Sequence, residues 1–211
     1  GPPTVENLRG LVTAHLARVP FENLSKLIRH ARGLPPTLPT VDEHLHTLER
    51  WRLGGTCYPC AAHFNALLRR VGYDARLGGA AMNQPDVHLV NMVRLDGRDH
   101  LVDVGYAAPL HEPWPLDAEA AQAVALGDET WTLQPRDEAG SHRLEHGRGG
   151  EVVHGYALDP TPRPVHHFDG VVAGSFRPES EFMTRLRLAR HEPGRSVSVL
   201  DRRVMVTERG T

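Results

Sequence analysis

The chain has 211 residues, with 24 Lys and Arg against 26 Asp and Glu, 14 His, and a formal net charge of −2 at pH 7. A charge so close to zero provides no concentrated basic field, so we expect neither a nucleic acid nor an anionic membrane as a partner. No apolar run approaches the roughly 18 residues needed to span a bilayer, and the first residues lack the pattern of a signal peptide. We therefore expect a soluble, cytoplasmic protein of one domain or two small lobes.

The first third of the chain predicts four helices. Apolar residues at spacings of three and four predict one helix that ends before Pro20 and a second that follows it. Thr40 and Glu43 form the sequence pattern of a capping box, which predicts the start of a third helix. A glycine pair then precedes a fourth helical pattern over residues 57–71. Cys57 is thus expected at the N-terminus of a helix.

The rest of the chain predicts mostly strands. Residues 87–95 and 98–104 flank Asp96-Gly97, a favoured two-residue turn, and predict an antiparallel hairpin. Shorter strands are expected at residues 129–133, 142–145, 152–158, 196–200 and 203–207, with a Pro-rich turn at 160–164 and a helix near 179–190. Helices followed by strands indicate an α+β fold, since an α/β fold would alternate the two.

The two cysteines, Cys57 and Cys60, are separated by two residues. They could form a redox pair, contribute with His63 to a zinc site, or comprise one catalytic thiol and an incidental neighbour. The redox alternative lacks a buried strand before the pair, and the zinc alternative lacks a second segment of paired ligands, so we expect no metal. A helix N-terminus favours a reactive thiolate at Cys57, whereas Cys60, one turn later, is expected to be buried and inert.

The predicted hairpin supplies a base and an orienting carboxylate for such a thiol. A two-residue turn places Asp103 opposite Val90 and therefore diagonal to His88 on one face of the sheet. At that separation the carboxylate can hydrogen bond to the imidazole. Cys57, His88 and Asp103 therefore form a candidate set of nucleophile, base and orienter.

These residues resemble the sequence pattern of the arylamine N-acetyltransferase family. The resemblance implies a helical lobe at 1–72 with the nucleophile, a central antiparallel β-barrel at 73–160 with the His and Asp, and a shortened α/β lid at 161–211. It also implies a papain-like arrangement of the Cys-His-Asp triad. The pattern stands here as Pro20-Phe21-Glu22-Asn23-Leu24, Leu53-Gly54-Gly55-Thr56-Cys57, His88, and Asp103-Val104-Gly105-Tyr106.

The resemblance further implies an acyl transfer in two steps. Cys57 would take an acyl group from acetyl-CoA or another acyl thioester, as a co-substrate with no tightly bound cofactor, and would pass it to a small amine. His88 would act as the base and Asp103 would hold the imidazole. Phe21 and Tyr106 would line the acceptor pocket, while the backbone at Gly105 would pass close to the acyl group.

Several positions depart from the family pattern. Leu53 replaces an arginine, and Pro59 and Ala61 replace a Glu and an Asn, so we expect Arg52 to take over as the partner of Glu22. These departures, and the shortened lid, favour one alternative, an amide synthase that takes its acyl group from a carrier protein. A second alternative is a cysteine hydrolase, since the same triad can pass its acyl group to water. A third is a binding module that keeps the fold and has lost turnover.

Overall fold

The structure, a computed structural model, describes residues 1–209, so residues 210 and 211 of the expected lid lie outside the described range. No helix within that range is long and apolar enough to cross a membrane. The helices are α1 (Val5–Arg18), α2 (Leu24–Ala31), α3 (Val41–Trp51), α4 (Cys57–Arg70), α5 (Asp169–Gly174) and α6 (Glu181–Thr184), with a 3₁₀ turn at Val165–Phe168. The strands are β1 (Phe21–Glu22), β2 (Asp74–Ala81), β3 (His88–Leu95), β4 (Arg98–Val102), β5 (Trp114–Pro115), β6 (Gln122–Leu126), β7 (Glu129–Leu133), β8 (His142–Arg148), β9 (Glu151–Arg163), β10 (Arg187–Glu192), β11 (Arg195–Leu200) and β12 (Arg203–Glu208).

The four predicted N-terminal helices are confirmed. The capping box at the start of α3 is present, because Thr40 Oγ1 accepts from the Glu43 N–H and Glu43 Oε2 accepts from the Thr40 N–H. At the end of α4, the Tyr73 N–H donates to the Leu68 carbonyl at 2.9 Å across Gly72, whose φ is +98°. Glycine adopts this left-handed backbone readily, which explains where α4 stops.

Eight strands form one antiparallel sheet in the order β5-β4-β3-β2-β9-β8-β7-β6. The sheet curls into a nearly closed barrel, and Gln122 Nε2 of β6 donates to the Pro115 carbonyl of β5 at 2.9 Å across the gap. The expected α+β class with a central barrel is thus confirmed. One apolar core fills the interior, formed by residues including Val90, Met92, Leu101, Trp114, Leu126, Trp131, Leu133, Leu144, Tyr156 and Leu158.

The hairpin forms with the predicted register. Leu95 pairs with Arg98 and Asn91 pairs with Val102, as the two-residue turn requires. Since Asp103 follows directly after β4, its side chain lies beside that of His88, the first residue of β3. The turn chemistry therefore brings together two side chains that are 15 residues apart.

Two predictions about the second half of the chain are wrong. The Pro-rich segment at 160–164 is mostly strand. The pairing of β9 with β8 ends at Leu158, so the prolines, which have no N–H, need not donate a hydrogen bond to β8. The helix expected over 179–190 is only one turn, α6, and is followed by β10. There, the last residues of the expected helix pair with β1 and β11 as strand β10.

A second, smaller sheet joins the two ends of the chain. Its order is β1-β10-β11-β12, and Phe21 of β1 pairs with Ala189 of β10. Phe21 also forms a parallel bridge to Gly55, two residues before α4 begins. The C-terminal segment is therefore connected through β1 to the loop that carries Cys57.

Candidate active site

The loop before α4 is built so that Cys57 lies close to β1. A Cβ atom at Gly54 would lie 2.3 Å from the Pro20 carbonyl oxygen, so no larger residue fits there. Gly55 has a φ of +119°, which glycine tolerates, and its carbonyl accepts from the Glu22 N–H at 2.9 Å. The glycine pair thus sets the position at which the helix and its first residue, Cys57, begin.

His88 and Asp103 form a buried hydrogen-bonded pair. His88 Nε2 lies 2.8 Å from Asp103 Oδ2, and the two side chains are 2% and 1% exposed. Asp103 Oδ1 accepts from the Gly105 N–H at 2.9 Å. Asp103 Oδ2 also accepts from the Tyr156 hydroxyl at 2.9 Å, a contact that the sequence analysis did not anticipate. With both carboxylate oxygens occupied, Asp103 can hold His88 in one orientation.

The side chain of Cys57 also interacts with the imidazole of His88 and helps to raise its pKa. Burial disfavours the charged imidazolium, but the charge of Asp103, the hydrogen bond to it and the contact with Cys57 outweigh burial and raise the pKa of His88 above its usual value. A protonated imidazole beside the sulfur favours the thiolate. Cys57 Sγ also contacts the Val87 carbonyl, at 3.9 Å.

A pair of buried asparagines fixes α4 against the barrel. Asn65 Nδ2 of α4 donates to Asn91 Oδ1 of β3 at 2.8 Å, and Asn91 Nδ2 donates to the Ala61 carbonyl at 3.0 Å. The helix that begins with Cys57 is therefore hydrogen bonded to the strand that begins with His88. Sequence reasoning missed this link, although an asparagine inside the apolar run of β3 was a signal for it.

The three predicted pocket residues surround this site in different ways. A Cβ atom at Gly105 would lie 2.9 Å from Cys57 Cα, so the two backbones are in contact. Phe21 lies in the same apolar cluster as Cys57 and packs edge-on against Phe182, with ring centres 5.8 Å apart. Tyr106 lies beside His88 instead, at 5.7 Å between ring centres.

Cys57 opens onto a cleft of about 630 Å³. Neither Phe21 nor Tyr106 lines this cleft, although Phe182, the neighbour of Phe21, does. The structure adds Lys26, a residue that the sequence analysis missed, to the wall of this cleft. Other lining residues are Thr56, Tyr58, Val87, Val171, Gly174, Ser175, Arg177, Glu179 and Glu181.

Cys60 is fully buried, as expected from its place in α4. Its thiol donates to the Gly55 carbonyl at 3.3 Å, and burial raises the pKa of Cys60 well above its usual value. Among residues 1–209, no group of three His, Cys, Asp or Glu side chains is placed to hold a metal ion. Cys60 is therefore a structural residue, whose thiol binds the backbone of the loop that precedes Cys57.

The expectation that Arg52 pairs with Glu22 is wrong. Arg52 is exposed at the end of α3 with a φ of +57°. The buried Glu22 carboxylate instead accepts from the N–H and the hydroxyl of Ser25, each at 2.8 Å, and burial raises the pKa of Glu22. These short-range donors satisfy the acid without a cation.

Asn23, the next residue, braces the C-terminal segment. Its Nδ2 donates to the Phe182 and Arg185 carbonyls at 2.8 and 2.6 Å, and its Oδ1 accepts from the Arg187 N–H at 2.9 Å. Because Phe182 lines the cleft, Asn23 fixes one wall of the site from the opposite end of the chain.

Comparisons with known proteins place the chain among acetyltransferases. A family model described as N-acetyltransferase matches residues 4–211. The arylamine N-acetyltransferase / N-hydroxyarylamine O-acetyltransferase of Salmonella typhimurium is 29% identical over 208 residues, covering 92% of this chain and 69% of that protein. The proansamycin X synthase of Amycolatopsis mediterranei is 32% identical over 132 residues, covering 59% of this chain and 50% of the synthase.

Solved structures agree with these sequence matches. A Mycobacterium smegmatis arylamine N-acetyltransferase has the same fold, with a TM-score of 0.83 and 24% sequence identity. The match covers 100% of this chain and 79% of that one. The Mycobacterium marinum arylamine N-acetyltransferase in complex with CoA has a TM-score of 0.82 at 25% identity, over 97% of this chain and 77% of that one.

The contact between Gly105 and Cys57 predicts a substitution effect. Gly105→Ala should lower the rate of Cys57 alkylation by iodoacetamide about tenfold or more, because the added methyl group must displace the Cys57 backbone. Gly10→Ala is a matched control, since a Cβ there meets nothing within 4 Å and Gly10 lies on α1, outside the cleft lining. Equal alkylation rates for both variants would show that the close approach is not needed.

The raised pKa of His88 predicts a pH-dependent loss of reactivity in Asp103→Asn. Removing the carboxylate leaves burial to lower the pKa of His88, so the imidazolium and the thiolate that it stabilises are lost near neutral pH. Alkylation of Cys57 should therefore slow strongly near pH 7 and much less near pH 9, above the usual pKa of about 8.5 for a cysteine thiol. A loss of the same size at both pH values would argue for general disruption of the site.

Proposed function

The chain belongs to the arylamine N-acetyltransferase family, and on that premise we propose that it transfers an acetyl group from acetyl-CoA to an amine through an acetyl-cysteine at position 57. One observation carries the proposal to particular residues. Cys57 begins a helix at the edge of a cleft, and its side chain interacts with a His88 that Asp103 holds. We therefore propose Cys57 as the nucleophile, His88 as the base and Asp103 as the residue that orients it.

The first half of the reaction acylates the enzyme. The Cys57 thiolate attacks the thioester carbonyl, and the C–S bond to CoA breaks as the tetrahedral intermediate collapses. Protonated His88 gives its proton to the departing thiol. The backbone N–H groups of Cys57 and Tyr58, which have no partner within α4, can donate to the oxyanion.

The second half transfers the acetyl group to the amine. The amine nitrogen attacks the carbonyl of acetyl-Cys57, His88 accepts the proton that the nitrogen loses, and the C–S bond to Cys57 breaks. Asp103 keeps the imidazole oriented and stabilises its charge throughout. The enzyme returns to the thiolate–imidazolium pair, and the product is an amide.

A second donor class is supported by one comparison. The proansamycin X synthase matches 59% of this chain at 32% identity, so an acyl group on a carrier protein remains a candidate donor. A panel of CoA and carrier-protein thioesters, read by intact mass, separates the two donor classes.

The proposed compartment is the cytoplasm, where two free cysteines spaced as closely as Cys57 and Cys60 stay reduced.

The acyl-enzyme step gives the direct test of the proposed function. Incubation with acetyl-CoA should add one acetyl group to the wild-type chain and to Cys60→Ala, and none to Cys57→Ala, as measured by intact-mass spectrometry. Adding an amine should then remove the group as an amide. Acetylation that survives in Cys57→Ala would overturn the assignment, and release mainly to water would make the protein a hydrolase.

A further inference from the structure

A second cavity, of about 470 Å³, lies beside the Cys57 cleft. The two spaces meet, because they share four lining residues: Lys26, Thr56, Tyr58 and Ser175. Thr56 and Tyr58 are the two neighbours of Cys57 in the chain. The second cavity therefore begins next to the nucleophile.

The walls of the second cavity are largely apolar. They come from α2, α3, α5 and the adjoining loops, and include Ile28, Leu34, Leu38, Trp51, Val172 and Phe176. Among the lining residues that the structure describes, Glu43 is the one carboxylate, and it pairs with Arg29. A hydrocarbon chain binds well to such a surface, since each buried methylene group strengthens binding about fourfold.

Two wall residues stand at positions where this chain departs from the family pattern. Leu53 replaces an arginine and Pro59 replaces a glutamate, and both residues line the second cavity. A charged side chain against an apolar wall is costly unless it is paired. The two replacements therefore extend the apolar surface up to the loop that carries Cys57, and they do so in a way that the family pattern does not.

Lys26 brings a charge to the junction of the two spaces, but its ammonium is already bound. The side chain is only 8% exposed, its Nζ donates to Ser175 Oγ at 2.5 Å, and Nζ lies 4.4 Å from the centre of the Phe176 ring. The methylene stem of a lysine packs against apolar groups while its ammonium is held elsewhere. The junction can therefore accept a hydrocarbon chain.

We propose that the second cavity receives the acyl chain of the donor, so that thioesters of medium-chain alkanoic acids, such as hexanoyl-CoA, acylate the protein faster than acetyl-CoA does. The inference rests on the proposed function and specifies its donor. The Cys57 thiolate forms a bond to the acyl carbonyl, the bond to the CoA sulfur breaks, and His88 protonates the departing thiol. The chain then extends past Thr56 and Tyr58 into the cavity, whereas the methyl group of an acetyl group stays in the cleft.

The test is a competition between donors. The wild-type chain is mixed with equal concentrations of acetyl-CoA and hexanoyl-CoA, and the two forms of acyl-Cys57 are measured by intact mass at early times. Their ratio reports the ratio of the two specificity constants. Hexanoyl-Cys57 should exceed acetyl-Cys57 about tenfold or more, because the longer chain buries further methylene groups, and butyryl-CoA should give an intermediate ratio.

Val172→Phe tests whether this cavity holds the chain. Val172 is 4% exposed and lines the second cavity but not the Cys57 cleft. The larger ring should lower the hexanoyl-to-acetyl ratio about tenfold, because it fills the space. Leu53→Arg, which restores the arginine of the family pattern, should lower the ratio from a different wall and covers the case in which Val172→Phe does not fold. Val152→Phe, the same change at an exposed residue of β9, is the matched control and should keep the wild-type ratio.

Two results would overturn the inference. One is a wild-type chain that shows no preference for hexanoyl-CoA over acetyl-CoA. The other is a hexanoyl preference that persists in folded Val172→Phe or Leu53→Arg, which would place the chain outside this cavity. Failure of both donors to form acyl-Cys57 would instead overturn the proposed function itself.

Discussion

The Asp103 carboxylate is the buried charge around which the site is organised. It accepts hydrogen bonds from His88, from the backbone of Gly105 and from Tyr156, which come from three separate parts of the chain. A buried carboxylate is tolerated only when its oxygens are satisfied in this way. The same bonds that make Asp103 acceptable inside the barrel also orient the imidazole and place Gly105 against Cys57, so burial and chemistry impose the same geometry.

The second requirement is a fixed position for the nucleophile. Cys57 belongs to a helical segment, whereas His88 belongs to the barrel, so their contact depends on how accurately the two parts dock. Three sets of contacts provide this docking: the Asn65–Asn91 pair, the bridge from Phe21 to Gly55, and the close packing of Gly105 on Cys57. None of them involves the reacting atoms, yet each restricts the distance between sulfur and imidazole.

How far the sequence predicted this site depended on the range of each interaction. Local rules sufficed for the start of α4 and for the register of the hairpin, because a glycine pair and a two-residue turn act over a few residues. Tyr156 could not be anticipated, since β9 pairs with β2 and β8 through irregular registers that its sequence does not specify. Lys26 was missed for a similar reason, because its burial depends on Ser175 and Phe176, far along the chain.

The central claim is that one thiol, activated by His88 and Asp103, carries the acetyl group between donor and amine. The most direct measurement isolates acetyl-Cys57 enzyme, mixes it rapidly with an amine and follows the bound acetyl group and the amide by quenched flow. Our account predicts that the acetyl group leaves Cys57 as the amide appears, at a rate constant no smaller than kcat. A transfer slower than steady-state turnover would contradict it, because acetyl-Cys57 would then not lie on the path to product.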